Sequence, residues 1–370
     1  MDIASFFPLA NAYPWAYVAI LLTWGVTFVN GWTDGPNSIA TCVTTRAMRP
    51  KPAVIMCAIL NGLGTLAIGA FASFISSLAG GDVSKTIAQL VNWGDSGINQ
   101  ILCAISCGMA AIIIVSLLCT AFGFPSSQSN CLIGGLTGAG MAITALSGQA
   151  NWFANIGAEP WIKVAIGFFG SLILGFALGY GMTKLIQLIC RKMNKGATTR
   201  FFNKGQIVTS GIMSFFHGIQ DGAKFIGVSM LVVAMLASSQ NGQTYSANLT
   251  SLSGVWWIYL PIAILEFGGT MVGGYNIIKT MGKGMAILKK YQAFATDIAA
   301  SIGLLLATFF GLPVSTGTVK STAIMGGGAA RSFRRVRWNV AGRMVFWGVI
   351  VFPLSALAGF LGVLIFIWTC

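Results

Sequence analysis

Asn30-Gly31-Trp32-Thr33-Asp34-Gly35-Pro36-Asn37-Ser38-Ile39 lies within an apolar stretch, and a carboxylate beside two glycines and a proline does not suit a plain spanning helix. Gly218-Ile219-Gln220-Asp221-Gly222-Ala223-Lys224-Phe225-Ile226 repeats its tail at an offset of 187 residues. The turn Gly123-Phe124-Pro125-Ser126-Ser127 returns as Gly311-Leu312-Pro313-Val314-Ser315-Thr316, proline on proline, at an offset of 188. Two landmarks about 90 residues apart thus keep their spacing to within one residue, which marks an internal repeat.

The composition sets the solvent. Of 370 residues 55% are hydrophobic and 8% charged, and mean hydropathy is +0.79; a soluble domain carries about 25% charged residues. A soluble enzyme, a disordered chain, a disulfide scaffold and a cytosolic nucleic-acid binder are excluded, although net charge is +14 and the pI about 9.7. The 47 glycines suit close or interrupted membrane helices. Met1-Asp2-Ile3 lacks the basic start of a signal peptide, so the first apolar segment is expected to stay in the mature protein. The eight scattered cysteines, Cys103 and Cys107 among them, read as small packing residues.

Apolar runs are expected at 14–30, 37–47, 53–78, 100–122, 131–147, 161–190, 205–219, 222–237, 254–278, 293–311, 321–330 and 340–367. Sixteen of the 22 cations cluster in four connections, around Arg46 to Lys51, Arg191 to Lys204, Lys279 to Lys290 and Arg331 to Arg337. Placing all four in the cytoplasm puts the connections 79–99, 148–160 and 238–253 outside, with both termini. The parity of crossings then makes 100–147 and 293–330 return to the side they left, each turning at a Gly-x-Pro. It also makes 205–237 cross once, with a break near Gly218 to Gly222 absorbing the excess length. The expected fold is an all-α polytopic membrane protein. Residues 1–190 and 205–370 form two inverted-topology repeats with broken helices and re-entrant hairpins, joined by the basic cytoplasmic linker 191–204.

Four acids, Asp34, Asp221, Glu266 and Asp297, sit in apolar surroundings, where charge costs at least about 2.5–3.5 kcal/mol and tends to mark ion or substrate paths. Asp34 and Asp221 are the matched pair; the alternative for each is a bond to a frayed helix end. Ser127, Gln128 and Ser129, with Ser315, Thr316 and Thr318, place hydroxyls and backbone donors at two helix starts. A helix N-terminus binds oxyanions through its exposed N–H groups and dipole, although each turn alone reads equally as a Ser/Thr cap. Lys224 stands where the first copy has Asn37, and either pairs with Asp221 or Asp297 or meets a substrate anion. Lys320 is expected to snorkel toward the inner interface. His217, the sole histidine, lies four residues before Asp221 and serves either as a proton relay or as a structural hydrogen-bonding group. Glu266 has no matched acid and reads as the weaker candidate, Asn61 as interhelical glue, and Asn248-Leu249-Thr250 as a chance glycosylation match.

These motifs resemble those of the inorganic phosphate transporter (PiT) family, specifically its bacterial low-affinity permease branch. Asn30 to Thr41, running on to Thr45-Arg46-Ala47-Met48-Arg49, is similar to the first copy of its signature. His217 to Lys224 is similar to the second copy as the bacterial members carry it, with Lys at its end. Gly311 to Thr316 matches the family's proline turn, Gly123 to Asn130 its looser twin, and Ile278 to Lys283 a further second-half stretch. The resemblance implies symport of inorganic phosphate with a proton or sodium, by a carrier that is homodimeric, binds no nucleic acid and holds no resident cofactor or metal. The lysine-ending branch is similar to proton-driven carriers that take phosphate as a neutral complex with Mg²⁺ or Ca²⁺.

By matching positions, the resemblance assigns Asp34, Asn37 and Asp221 to coupling cation and phosphate, with Asp297 a further cation candidate from the sequence. The serines and threonines of the two turns, with Gln128, would be phosphate donors. The chain departs from the pattern at Asn130 and Thr318, which replace turn histidines, at Thr33 and Gln220, which replace motif asparagines, and at Gly317, which replaces a turn threonine. A sulfate or other oxyanion permease is therefore the alternative. A passive anion channel suits the basicity but not the paired acids, and an intramembrane enzyme at His217 and Asp221 lacks a mirrored nucleophile.

Overall fold

The computed structural model describes residues 3–68, 82–93, 96–121, 127–241, 256–273, 278 and 285–369. Among these the chain is helical, apart from isolated bridges such as Val91 to Ile156. The helices are α1 (Ile3–Ala12), α2 (Trp15–Thr33), α3 (Ala40–Thr44), α4 (Pro50–Leu66), α5 (Val83–Ala88), α6 (Ile98–Ala121), α7 (Gln128–Leu146), α8 (Ala158–Ile189), α9 (Lys195–Asn241), α10 (Trp256–Val272), α11 (Lys290–Phe309), α12 (Thr316–Ala329) and α13 (Trp338–Phe366). Among the described residues seven helices are long and apolar enough to cross a bilayer. The sequon at 248–250, most of the turn at 123–127, the end of the 53–78 run and the stretch 279–283 lie outside the described residues.

The first helix break occurs where the sequence places it. Pro36 has no N–H to continue the ladder, so α2 stops at Thr33 and a 3₁₀ turn, Gly35–Asn37, carries the chain into α3. The break expected at 218–222 is absent: α9 runs unbroken for 47 residues. The reason is one residue. The position matching Pro36 is Ala223, the best helix former, and Gly218 and Gly222 serve close packing instead. A Cβ on Gly218 would collide with the Asn61 carbonyl of α4, and one on Gly222 would meet Thr65. The basic segment 191–204 is a 3₁₀ turn, Cys190–Lys192, followed by the first turns of α9.

The connection 79–99 is also not the simple outer loop expected from its polarity. Asp82 caps α5 by accepting from the Ser84 N–H at 2.8 Å, and Val83, Ser84, Thr86, Ile87 and Ala88 are buried. Ser84 Oγ donates to the Ala223 carbonyl of α9 at 2.7 Å, and Thr86 Oγ1 to the Gly311 carbonyl at 2.9 Å. The proline turn at 311–315 forms as expected, Gly311 taking φ of +62°.

Packing repeats with the sequence. α7 lies against α6 and α13, and α12 against α11 and α8, while α6 touches α13 as α11 touches α8. α2 packs on α10 as α9 packs on α4. Each of these pairings has a counterpart between the elements at corresponding positions of the sequence repeat. α8 turns Gly167, Ser171, Gly175, Gly179 and Thr183 inward at four-residue spacing, and α13 turns Gly348, Ser355 and Gly359 inward at spacings of seven and four. Small residues let the backbones approach in a setting where lipid gives no hydrophobic drive between helices. Their other faces present Ile162, Ile166, Phe169 and Ile173, and Phe346, Val349 and Leu357, to the bilayer.

The closest approaches are mirrored too. A Cβ on Gly138 of α7 would strike the Ala356 carbonyl of α13, and one on Gly326 of α12 the Phe176 carbonyl of α8. Because the obstacle is backbone, Gly138→Ala is expected to lower stability by roughly 1–3 kcal/mol. The check is the melting temperature of the purified chain in detergent, and an unchanged value would refute the close approach.

Candidate functional site

Four elements converge at the centre: the broken end of α2, the middle of α9, and the N-termini of α7 and α12. Ser127 and Ser315 cap those two helices identically, their Oγ atoms accepting from the Asn130 N–H at 3.4 Å and the Thr318 N–H at 3.3 Å. Both are N-caps in extended backbone, preceding helices of 19 and 14 residues. Thr318 joins the site through this backbone bond.

Asp34 and Asp221 are both buried, repel one another across the site and are each attracted to Lys224. Asp34 Oδ1 accepts from Asn37 Nδ2 at 2.6 Å, whereas Asp34 Oδ2 and Asn37 Oδ1 have no partner among the described residues. A Cβ on Gly317 would stand 3.2 Å from both Asp34 Oδ1 and Asn37 Nδ2, so the missing side chain lets α12 close on them. Asp221 is held more fully: Oδ1 accepts from Lys224 Nζ at 2.6 Å, and Oδ2 from Asn30 Nδ2 at 3.1 Å and Thr316 Oγ1 at 3.3 Å. Of the two pairings open to Lys224, the structure forms the one with Asp221. Its ammonium also donates to Ser129 Oγ at 2.6 Å and to the Val314 carbonyl at 2.7 Å. Gln128 Nε2 donates to Thr33 Oγ1 at 3.1 Å, leaving Gln128 Oε1 unpartnered.

His217 places Nε2 3.5 Å from Asp221 Oδ2 and Nδ1 3.0 Å from Asn61 Oδ1. Asn61 in turn donates to Glu266 Oε1 at 3.0 Å and to Thr270 Oγ1 at 3.1 Å, so it does bridge α4 and α10. Glu266, unmatched in sequence, is brought into the centre because Asn30 donates both to it, at 3.1 Å, and to Asp221. Glu266 Oε2 and Asn30 Oδ1 are buried without partners among the described residues. Asn30 was legible: it stands four residues before Asp34 as His217 stands four before Asp221.

Asp297 does not join the Asp34–Asp221 pair. It forms a separate cluster with Lys320, Thr41 Oγ1 at 2.6 Å and Ser210 Oγ at 2.6 Å. Lys320 is therefore not a snorkelling residue. It is wholly buried, and an ammonium without water must find a carboxylate, which Asp297 supplies across α11 and α12. Asn130, at a position where the family carries histidine, turns away to donate to the Gly348 carbonyl of α13 at 2.8 Å.

The arrangement can do two things. Unpartnered buried oxygens of Asp34, Asn37, Gln128 and Glu266 suit a cation, and the two capped helix starts suit an oxyanion. A multi-pass helical fold with such a polar centre suits the class of membrane transporters, and comparison with known proteins places the chain in that class. The chain belongs to the phosphate transporter family, which matches residues 30–359. It is 31% identical over 332 residues to a probable low-affinity inorganic phosphate transporter of Bacillus subtilis, covering 90% of this chain and 91% of the relative. A probable low-affinity inorganic phosphate transporter of Rhizobium meliloti is 31% identical over 346 residues, covering 94% and 95%. A solved structure described as the sodium-dependent phosphate transporter has the same fold, with a TM-score of 0.80, 20% identity, and coverage of 96% of this chain and 100% of that one.

Proposed function

We propose that this chain is a secondary carrier that imports inorganic phosphate with a monovalent cation, proton or sodium. One observation carries the reading: two Ser-capped helix N-termini are buried together in the core, the α12 start against Asp34 and Asp221 and the α7 start against Lys224 and Thr33, and Asp34 keeps an oxygen with no partner among the described residues. Acids alone would repel phosphate, and helix starts alone would hold it without a driving ion. Together they favour a site in which cation and anion bind only as a pair. Asp34 and Asn37 hold the cation, and the backbone donors of the two turns, with the Ser127, Ser315 and Thr318 hydroxyls, face the anion, while Thr316 is held on Asp221 and Gln128 offers its free oxygen to the cation side. His217, between Asp221 and Asn61, is the proton relay if the cation is a proton.

In this reading residues 1–190 and 205–370 are the inverted halves, 191–204 joins them in the cytoplasm, and both termini lie outside the cell membrane. Movement of the interlocked halves then exposes the fixed site alternately, in a homodimer. Phosphate accompanied by Mg²⁺ or Ca²⁺ is a finer form of the same reading, since a neutral complex lowers the charge to be moved.

Labelled phosphate uptake into proteoliposomes tests it, with a proton gradient alone, then a sodium gradient alone, each with excess unlabelled sulfate. Saturable uptake driven by one gradient and indifferent to sulfate is the expected result and names the cation. Uptake suppressed by sulfate would replace phosphate by a broader oxyanion class, to which the diverted Asn130 and the bare Gly317 would then be the contributors. Uptake indifferent to any gradient would make the protein a channel.

A further inference from the structure

The two copies of the central motif differ in one way that bears on ion coupling. At corresponding positions, 187 or 188 residues apart, the first copy has Asp34 and Asn37 facing Gly317, and the second has Asp221 and Lys224 facing Ser129. At these matched positions the contacts cross over: Gly317 of the second turn stands beside the first motif, and Ser129 of the first turn accepts from Lys224 of the second.

The first of these sites leaves Asp34 Oδ2 and Asn37 Oδ1 buried with no partner among the described residues. In the second, the corresponding space is filled by an ammonium. Lys224 Nζ lies 2.6 Å from Asp221 Oδ1, 2.6 Å from Ser129 Oγ and 2.7 Å from the Val314 carbonyl, with 1% of the side chain exposed. Those three oxygens come from α9, α7 and the proline turn and converge on one point. A lysine has three N–H donors and no acceptor, so all its capacity is spent on protein oxygens and none remains for an anion.

Resting on the carrier reading above, the geometry points to Lys224 as a tethered cation that permanently occupies the second of two equivalent cation sites. The carrier then recruits from solution only the cation at Asp34 and Asn37. The side chain keeps Asp221 neutralised and Ser129 and Val314 drawn together in every cycle, but being covalently attached it adds nothing to the driving force. Each monovalent cation moved across 100 mV corresponds to roughly fiftyfold in the attainable concentration ratio. A carrier with Lys224 forgoes that factor once, and in exchange operates where the second cation is scarce.

Lys224→Asn restores the first-copy residue and should open the second site to sodium. The expected result is one more equivalent of bound ²²Na⁺ per chain than the parent at saturation, a saturable rise of melting temperature with sodium that the parent lacks, and a sodium-to-phosphate flux ratio raised by one. Lys224→Met, which offers no oxygen, should gain none of these. The inference is overturned if Lys224→Asn binds no extra sodium, if it fails to recover its fold at any sodium concentration, or if Lys224→Met gains the same response. Sodium binding is read without phosphate, and parent phosphate uptake is read without the variants, so a failure of either assignment is seen separately.

Discussion

Asp34→Asn is expected to abolish gradient-driven uptake while leaving the chain folded. Asp34 Oδ1 is engaged by Asn37 Nδ2 at 2.6 Å, but Oδ2 has no partner among the described residues, so the substitution keeps a side chain of the same shape that can still bond Asn37. What it removes is the charge that offsets a buried cation. Taking one partner from a buried charge pair costs about 3–5 kcal/mol, or roughly 10² to several thousandfold in cation affinity. Asp221 does not take over, because Lys224, Asn30 and Thr316 already claim its oxygens. The measurement is initial uptake rate against cation concentration, with melting temperature as the folding control. Full coupled uptake in this variant would remove Asp34 from the mechanism.

The matched acids and the mirrored turns were legible because both signals are chemical: a carboxylate and a proline are conspicuous in an apolar chain. The extents of α6, α7, α8, α11 and α13 followed within a few residues from apolar runs ending at charge or turn residues. Three features were hidden. The unbroken α9 turns on Ala223 standing where Pro36 breaks the first copy, while glycines that read as breakers are packing surfaces against Asn61 and Thr65. The burial of α5 was masked by Asp82, Ser84 and Lys85, which read as a loop but act as a cap, a hydrogen bond to α9 and a solvent-facing side chain. Glu266 and Lys320 were undervalued because their partners, Asn30 and Asp297, stand 236 and 23 residues away, and no local pattern announces such a pairing.

The pairing of Lys320 with Asp297 carries the largest expected effect on stability. Both side chains are fully buried, and the cluster joins four elements: Thr41 on α3, Ser210 on α9, Asp297 on α11 and Lys320 on α12. Lys320 also reaches the Ser38 carbonyl at 3.4 Å, beside the helix break. Removing either charge leaves the other without compensation in a region closed to water, so Asp297→Asn and Lys320→Met should each cost about 3–5 kcal/mol. The double variant leaves no stranded ion. The asparagine can still accept from one of the Thr41 and Ser210 hydroxyls and donate its amide N–H to the other, and Met fills nearly the volume of the lysine stem. It should therefore be more stable than either single variant, an interaction of a few kcal/mol that a double-mutant cycle on melting curves in detergent resolves. Additive losses would mean that the two groups act independently and that their proximity contributes nothing to the fold.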